Sequence, residues 1–138
     1  MMAILIVGLP GSGKTYLAEH EYVSVGYHLI DDPKKPSDIQ DGIAMAHYEG
    51  SVGVVVTDPN LTQPGNVDRA IKQLHNLGCS AVSVMYFEND WRKAERNLLW
   101  REQETLEHRG FINVRHFSQL YIIPEGLAPI PIYQRTEL

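Results

Sequence analysis

Apolar residues recur along the chain in two rhythms. Four runs are nearly continuous: Ala3-Ile4-Leu5-Ile6-Val7, Tyr27 to Ile30, Val52 to Thr57 and Ala81 to Phe87. Short β-branched and aliphatic runs of this kind mark strands covered on both faces. A later run, Ile130-Pro131-Ile132-Tyr133, is interrupted by proline and predicts a fifth strand, confined to an edge. Between these runs the pattern predicts helices over Lys14 to about Val23, Ser37 to about Tyr48, Pro64 to Leu77, Trp91 to His108 and Asn113 to about Tyr121. The punctuation agrees with them. Gly26 follows the first helix; Ser37 with Gln40 is a capping-box signal for the second, and Gly50 closes it. Pro64 and Gly78 bracket the third, and Asp90 can cap the fourth, which Gly110 would end.

Strands that alternate with helices imply a parallel sheet with right-handed crossovers. The expected architecture is one α/β domain over residues 1–138, with a sheet of about five strands and helices on both faces. A chain of 138 residues is long enough to bury roughly two thirds of its unfolded surface, so a core needs no staples. The one cysteine, Cys79, excludes an intramolecular disulfide and suits a reducing cytoplasm. The apolar start is too short to span a bilayer and has no basic leader, so neither membrane nor export is expected. The net charge of −5 offers no global field for a nucleic-acid backbone, although it leaves a local channel open. His20, His28, His47, His75, His108 and His116 show no metal-ligand spacing.

The densest chemistry is Gly8-Leu9-Pro10-Gly11-Ser12-Gly13-Lys14-Thr15, set between the first strand and the first helix. Holding a phosphate requires several backbone N–H groups aimed at one point, which bulky residues prevent. Gly8, Gly11 and Gly13 supply the freedom, Ser12 lies between them, and the helix starting near Lys14 adds its positive end. Lys14 can bridge β- and γ-phosphates, and the Thr15 hydroxyl can ligate Mg²⁺. The motif in this context predicts a P-loop NTPase fold that binds ATP with Mg²⁺. Asp58, at the end of the third run, is the second expected magnesium ligand; otherwise it is a turn residue before Pro59.

Two further groups would separate a kinase from an NTPase. Asp31 and Asp32 end the second strand on the same edge as the cradle. Neighbouring side chains on a strand diverge, so one of the two faces the crevice and can orient an attacking hydroxyl. The fourth helix carries Arg92, Lys93, Arg96 and Arg101, interspersed with Glu95, Glu102 and Glu104. Arg96 and Arg101 lie ~140° apart around a regular helix. They are either a cationic lid over the phosphates or part of a solvated, salt-bridged face.

With these residues the chain resembles the P-loop kinases related to phage polynucleotide 5′-kinase, including the zeta-toxin-like and short AAA-type kinases. Thr57-Asp58-Pro59-Asn60-Leu61 is similar to the Asp-x-Asn-Leu stretch of that family, and Arg96-Asn97 to an Arg-Asn pair of its lid helix. The resemblance spans Ala3 to about Tyr121 and implies a lid at about 91–112. It implies that Asp31, with Asp32 second, is the base, and that Arg96 and Arg101, or alternatively Arg109, contact the donor phosphates. Lys34 stands where the family places an arginine, and lysine lacks that arginine's bidentate fork. The acceptor so implied is a hydroxyl of a nucleic acid or nucleotide: a 5′-end, or a hydroxymethyl base in DNA modification. A flipped base would need stacking partners, for which Tyr27, Tyr48, Trp91, Trp100 and Tyr121 are available. A small-molecule kinase, favoured by the acidic charge, and a nucleotide-binding switch without an acceptor are the competing readings.

Overall fold

The computed structural model describes residues 1–105 and 112–134. Strand β1 (Met2–Val7) runs through the cradle into a single α-turn, α1 (Lys14–Leu17), and β2 (Tyr27–Asp31) follows. Helix α2 (Pro36–Glu49), β3 (Gly53–Thr57), α3 (Asn66–Asn76), β4 (Ala81–Tyr86), α4 (Trp91–Thr105) and α5 (Ile112–Leu120) complete the order. The described strands form one sheet of order β2-β3-β1-β4, and every pairing is parallel. Right-handed crossovers therefore carry α1 to one face and α2 with α3 to the other.

The chain reverses its direction of travel across the sheet between β1 and β3. Strand β1 connects towards one edge and β3 towards the other, which opens a crevice beyond their C-terminal ends. The two inner strands are the apolar ones. Leu5, Ile6, Val7, Val54 and Val55 are fully buried, as is Thr57, the polar exception at the crevice end of β3.

The sheet has four strands where five were expected, because Ile130 forms only an isolated bridge with Phe87. The cause is covalent. Pro129 and Pro131 flank Ile130 and donate no hydrogen bond, so the ladder is limited to Ile130 N–H to Tyr86 O and Glu88 N–H to Ile130 O, each 2.8 Å. The next amide, Ile132, donates to the side chain of Glu88 at 2.9 Å instead.

The first helix also differs from its expected form. After α1 the chain widens into a π-helical stretch, Ala18–Tyr22, and tightens into a 3₁₀ turn, Val23–Val25, before Gly26. Helix α2 starts ahead of its predicted cap. The carboxylate of Asp38 receives the N–H groups of Lys34 and Lys35, so Ser37 lies inside the first turn. The predicted end of the fourth helix, and Gly110, lie outside the described residues.

Candidate functional site

The cradle has the backbone that its glycines permit. Gly11 and Gly13 take φ values of 86° and 100°, a region that L side chains enter only with strain. The N–H groups at the start of α1 have no partner within their own helix, which leaves them available to an anion. The hydroxyl of Ser12 is buried with no hydrogen-bond partner. An orphaned buried hydroxyl inside the cradle, packed against Gly8, can serve a phosphate oxygen and is costly otherwise.

Lys14 is held within the loop, and its ammonium donates to Leu9 O at 2.8 Å. Burial pulls its pKa down from 10.5 to about 8, against the attraction of Asp58 and Asp31; Arg101 lowers it further. The charge of Arg101 is therefore near enough to act on Lys14. Arg96 does not join it: its guanidinium donates to Gln134 Oε1 at 3.3 Å. The ~140° separation around the helix sends one arginine to each side. Arg92 lies over the ring of Trp91, 5.2 Å from its centre, and Arg109 lies outside the described residues.

The two adjacent aspartates separate as a strand end requires. Asp31 Oδ1 accepts the hydroxyls of Thr15 at 3.2 Å and of Thr57 at 2.5 Å. Thr57 is its register partner across β2 and β3, so the sheet itself aims this carboxylate at the cradle. Asp32 turns away with φ 49° and pairs with Lys34 at 2.6 Å. Lys34 therefore stands bound to an aspartate where the resembling family has an arginine. Asp58 lies one residue beyond β3. Burial raises its pKa, while the Asn60 amide, which donates to Oδ1 at 2.9 Å, and Lys14 act in the opposite direction.

Thr15, Asp31 and Asp58 thus present hydroxyl and carboxylate oxygens around Lys14, the hard donor type that magnesium takes together with waters and phosphate. Among the described residues no group of three or more His, Cys, Asp or Glu side chains forms a metal cage. A donor set of that size fits an ion that keeps most of its shell from water and substrate.

Two contributors were not foreseen. Thr57 figures in the sequence only as the strand end that opens the Asp-x-Asn-Leu stretch, and Asn97 only in an Arg-Asn pair. The Asn97 amide donates to Gly11 O at 3.1 Å and to Tyr133 O at 2.8 Å, tying α4 to both the cradle and the tail. The contact at Gly11 is closer still, since a Cβ there would lie 2.4 Å from Ala94 O. The signal for Thr57 was its polarity within an otherwise apolar strand.

Beside Asp58 a cavity of about 460 Å³ opens between α2 and α3. Its lining contains no aromatic side chain. The aromatic candidates are elsewhere: the Tyr121 hydroxyl donates to Phe87 O at 2.5 Å within the core, and Trp91 packs between Arg92 and Arg115. Tyr48 is 89% exposed on the outer part of α2.

A glycine cradle after β1, an adjoining strand followed directly by Asp58 and the order β2-β3-β1-β4 define a P-loop fold. Among solved structures the chain is similar to a gluconokinase from Sinorhizobium meliloti 1021, with a TM-score of 0.58 and 14% identity over 96% of this chain and 83% of that one. At this identity the likeness is one of fold. No family model and no curated protein matches the chain. Among the described residues no helix is long and apolar enough to cross a membrane.

Proposed function

We propose that the protein is a kinase that moves the γ-phosphoryl group of ATP to a hydroxyl of a small molecule. The observation that carries this reading is the meeting of Lys14, Thr15, Asp31 and Asp58 at one sheet edge, beside a cavity that Asp58 also lines. The acceptor oxygen bonds to the γ-phosphorus, the bond from phosphorus to the β–γ bridging oxygen breaks, and ADP leaves. The acceptor proton passes to the Asp31 carboxylate, which Thr57 holds in position. Lys14 and Arg101 stabilise charge on the transferring group. Magnesium, held through Thr15 and Asp58, would supply further neutralisation of the phosphates.

The fold likeness to a gluconokinase supports a small acceptor over a polynucleotide. The cavity supports it too, because a flipped base is gripped by stacking side chains and this lining has none. The nucleic-acid acceptor implied by the sequence resemblance is the second reading, and the basic residues at the cavity, Lys34, Lys35 and Arg69, are what favour it.

Labelled transfer from γ-labelled ATP with Mg²⁺ distinguishes the readings, with small polyols and their acids, nucleosides, 5′-hydroxyl oligonucleotides and hydroxymethylpyrimidine duplexes as acceptors. Label on a small molecule, lost in Lys14→Ala and Asp31→Asn, is the expected result. Label on DNA moves the second reading forward. Label found only in free phosphate removes the kinase reading and leaves a nucleotide switch.

A further inference from the structure

The cavity between α2 and α3 holds an unusual charge arrangement for a chain of net charge −5. Three cations line it, Lys34, Lys35 and Arg69, against the single carboxylate of Asp58. Lys34 is already neutralised by Asp32. Among the described residues, neither Lys35 nor Arg69 has a carboxylate partner. Leu5, Ile39, Val56 and Leu74 form an apolar wall to the same space, and Lys35 and Arg69 are exposed at its rim.

Arg69 is also held in place. Its guanidinium donates to Asn66 Oδ1 in a short contact, and Asn66 Nδ2 donates to Asn60 O at 2.7 Å. The Asn60 amide in turn binds Asp58 Oδ1. A chain of hydrogen bonds therefore runs from the carboxylate at the cradle to the arginine on α3. Gly65, with φ 79°, caps the helix at this point, and a Cβ there would lie 3.4 Å from Arg69 Nη1. Arg69 is exposed at the edge of the cavity, and these bonds orient its guanidinium there. Arginine with a fixed fork is the residue suited to a planar or tetrahedral oxyanion.

We propose that the acceptor is a small anion, and that Arg69 together with Lys35 grips its acidic group while its hydroxyl faces Asp31. This rests on the cavity being the acceptor site of the kinase proposed above. The acidic group is a carboxylate or a phosphate monoester, which share the oxyanion chemistry that the two cations recognise.

The test uses matched probes of three to six carbons: alditols, the corresponding aldonates and the corresponding alditol phosphates. Each is titrated by calorimetry into the full chain carrying Lys14→Ala, which weakens anion binding in the cradle, with and without Arg69→Gln or Lys35→Gln. Acidic probes are expected to bind at least about tenfold tighter than their parent alditols, one fully formed ion pair being worth that factor or more. Arg69→Gln should remove most of that advantage and Lys35→Gln part of it. In the chain with Lys14 intact, either substitution should leave ATP affinity within about twofold. The preferred acidic arm identifies carboxylate or phosphate. Equal binding of acid and alditol, no binding by any probe, or an acid preference that survives both substitutions overturns the proposal. Label transfer separates this outcome from that of the kinase reading. Phosphorylated alditols with no acid preference leave the kinase without the anion site. Arg69-dependent binding of acids that are never phosphorylated leaves the anion site without the kinase.

Discussion

At the scale of single residues, Lys14 shows what the site costs. Its folded pKa of about 8 lies below the ordinary 10.5, so the folded state disfavours the charged form. Stability is therefore reduced below pH 8 and recovers as pH rises from about 8 to 10.5. Lys14→Met should stabilise the ligand-free protein at pH 7 by about 2 kcal/mol, the burial cost less the lost bond to Leu9 O, and this gain should vanish near pH 10.5. Urea unfolding across that range checks it; a destabilised Lys14→Met at pH 7 would contradict it. ATP affinity should follow the opposite course, falling above about pH 8 as the cation is lost. Thr57 is a quieter case. Thr57→Val keeps the buried volume but frees Asp31, so kcat should fall about tenfold with ATP KM little changed, and Thr57→Ser should restore it. An unchanged kcat in Thr57→Val would remove the positioning role.

At the scale of elements, legibility followed the range of the interaction. The cradle and the four strands were readable because each is specified by neighbouring residues: a continuous apolar run, a glycine spacing, a turn. The lid arginines were not, because which of Arg96 and Arg101 lies on the cradle side depends on how α4 is rotated. That rotation is set by the contact of Ala94 and Leu98 with Gly11, across the whole chain. The fifth strand misled for a local reason, since its apolar residues are correct but two prolines remove its donors. The α4 contact also predicts a contrast between two glycines. Gly11→Ala meets Ala94 O at 2.4 Å and should destabilise the fold by about 3 kcal/mol or more. Gly13→Ala, whose Cβ would meet open space, should cost only the backbone strain of about 1–2 kcal/mol. Equal losses in denaturant unfolding would show that α4 does not bear on the loop.

At the scale of the molecule, the candidate residues come from distant parts of the sequence and meet because one sheet edge collects them. Thr15 and Asp58 follow β1 and β3, Asp31 ends β2, and α4 brings Arg101. The topology was legible, and with it the edge, yet the cavity was not. Arg69 carries no motif, and its relation to Asp58 appears only once Asn60 and Asn66 are placed between them. The feature with the widest reach is the amide of Asn97, which shares its hydrogens between Gly11 O and Tyr133 O. Through it the tail and the cradle share one donor. A nucleotide that drew the loop inward would compete for one of those bonds and alter the hold on the tail. Deuterium uptake at Ile130 and Ile132, remote from any phosphate, would then serve as a spectator's record of whether the loop is full.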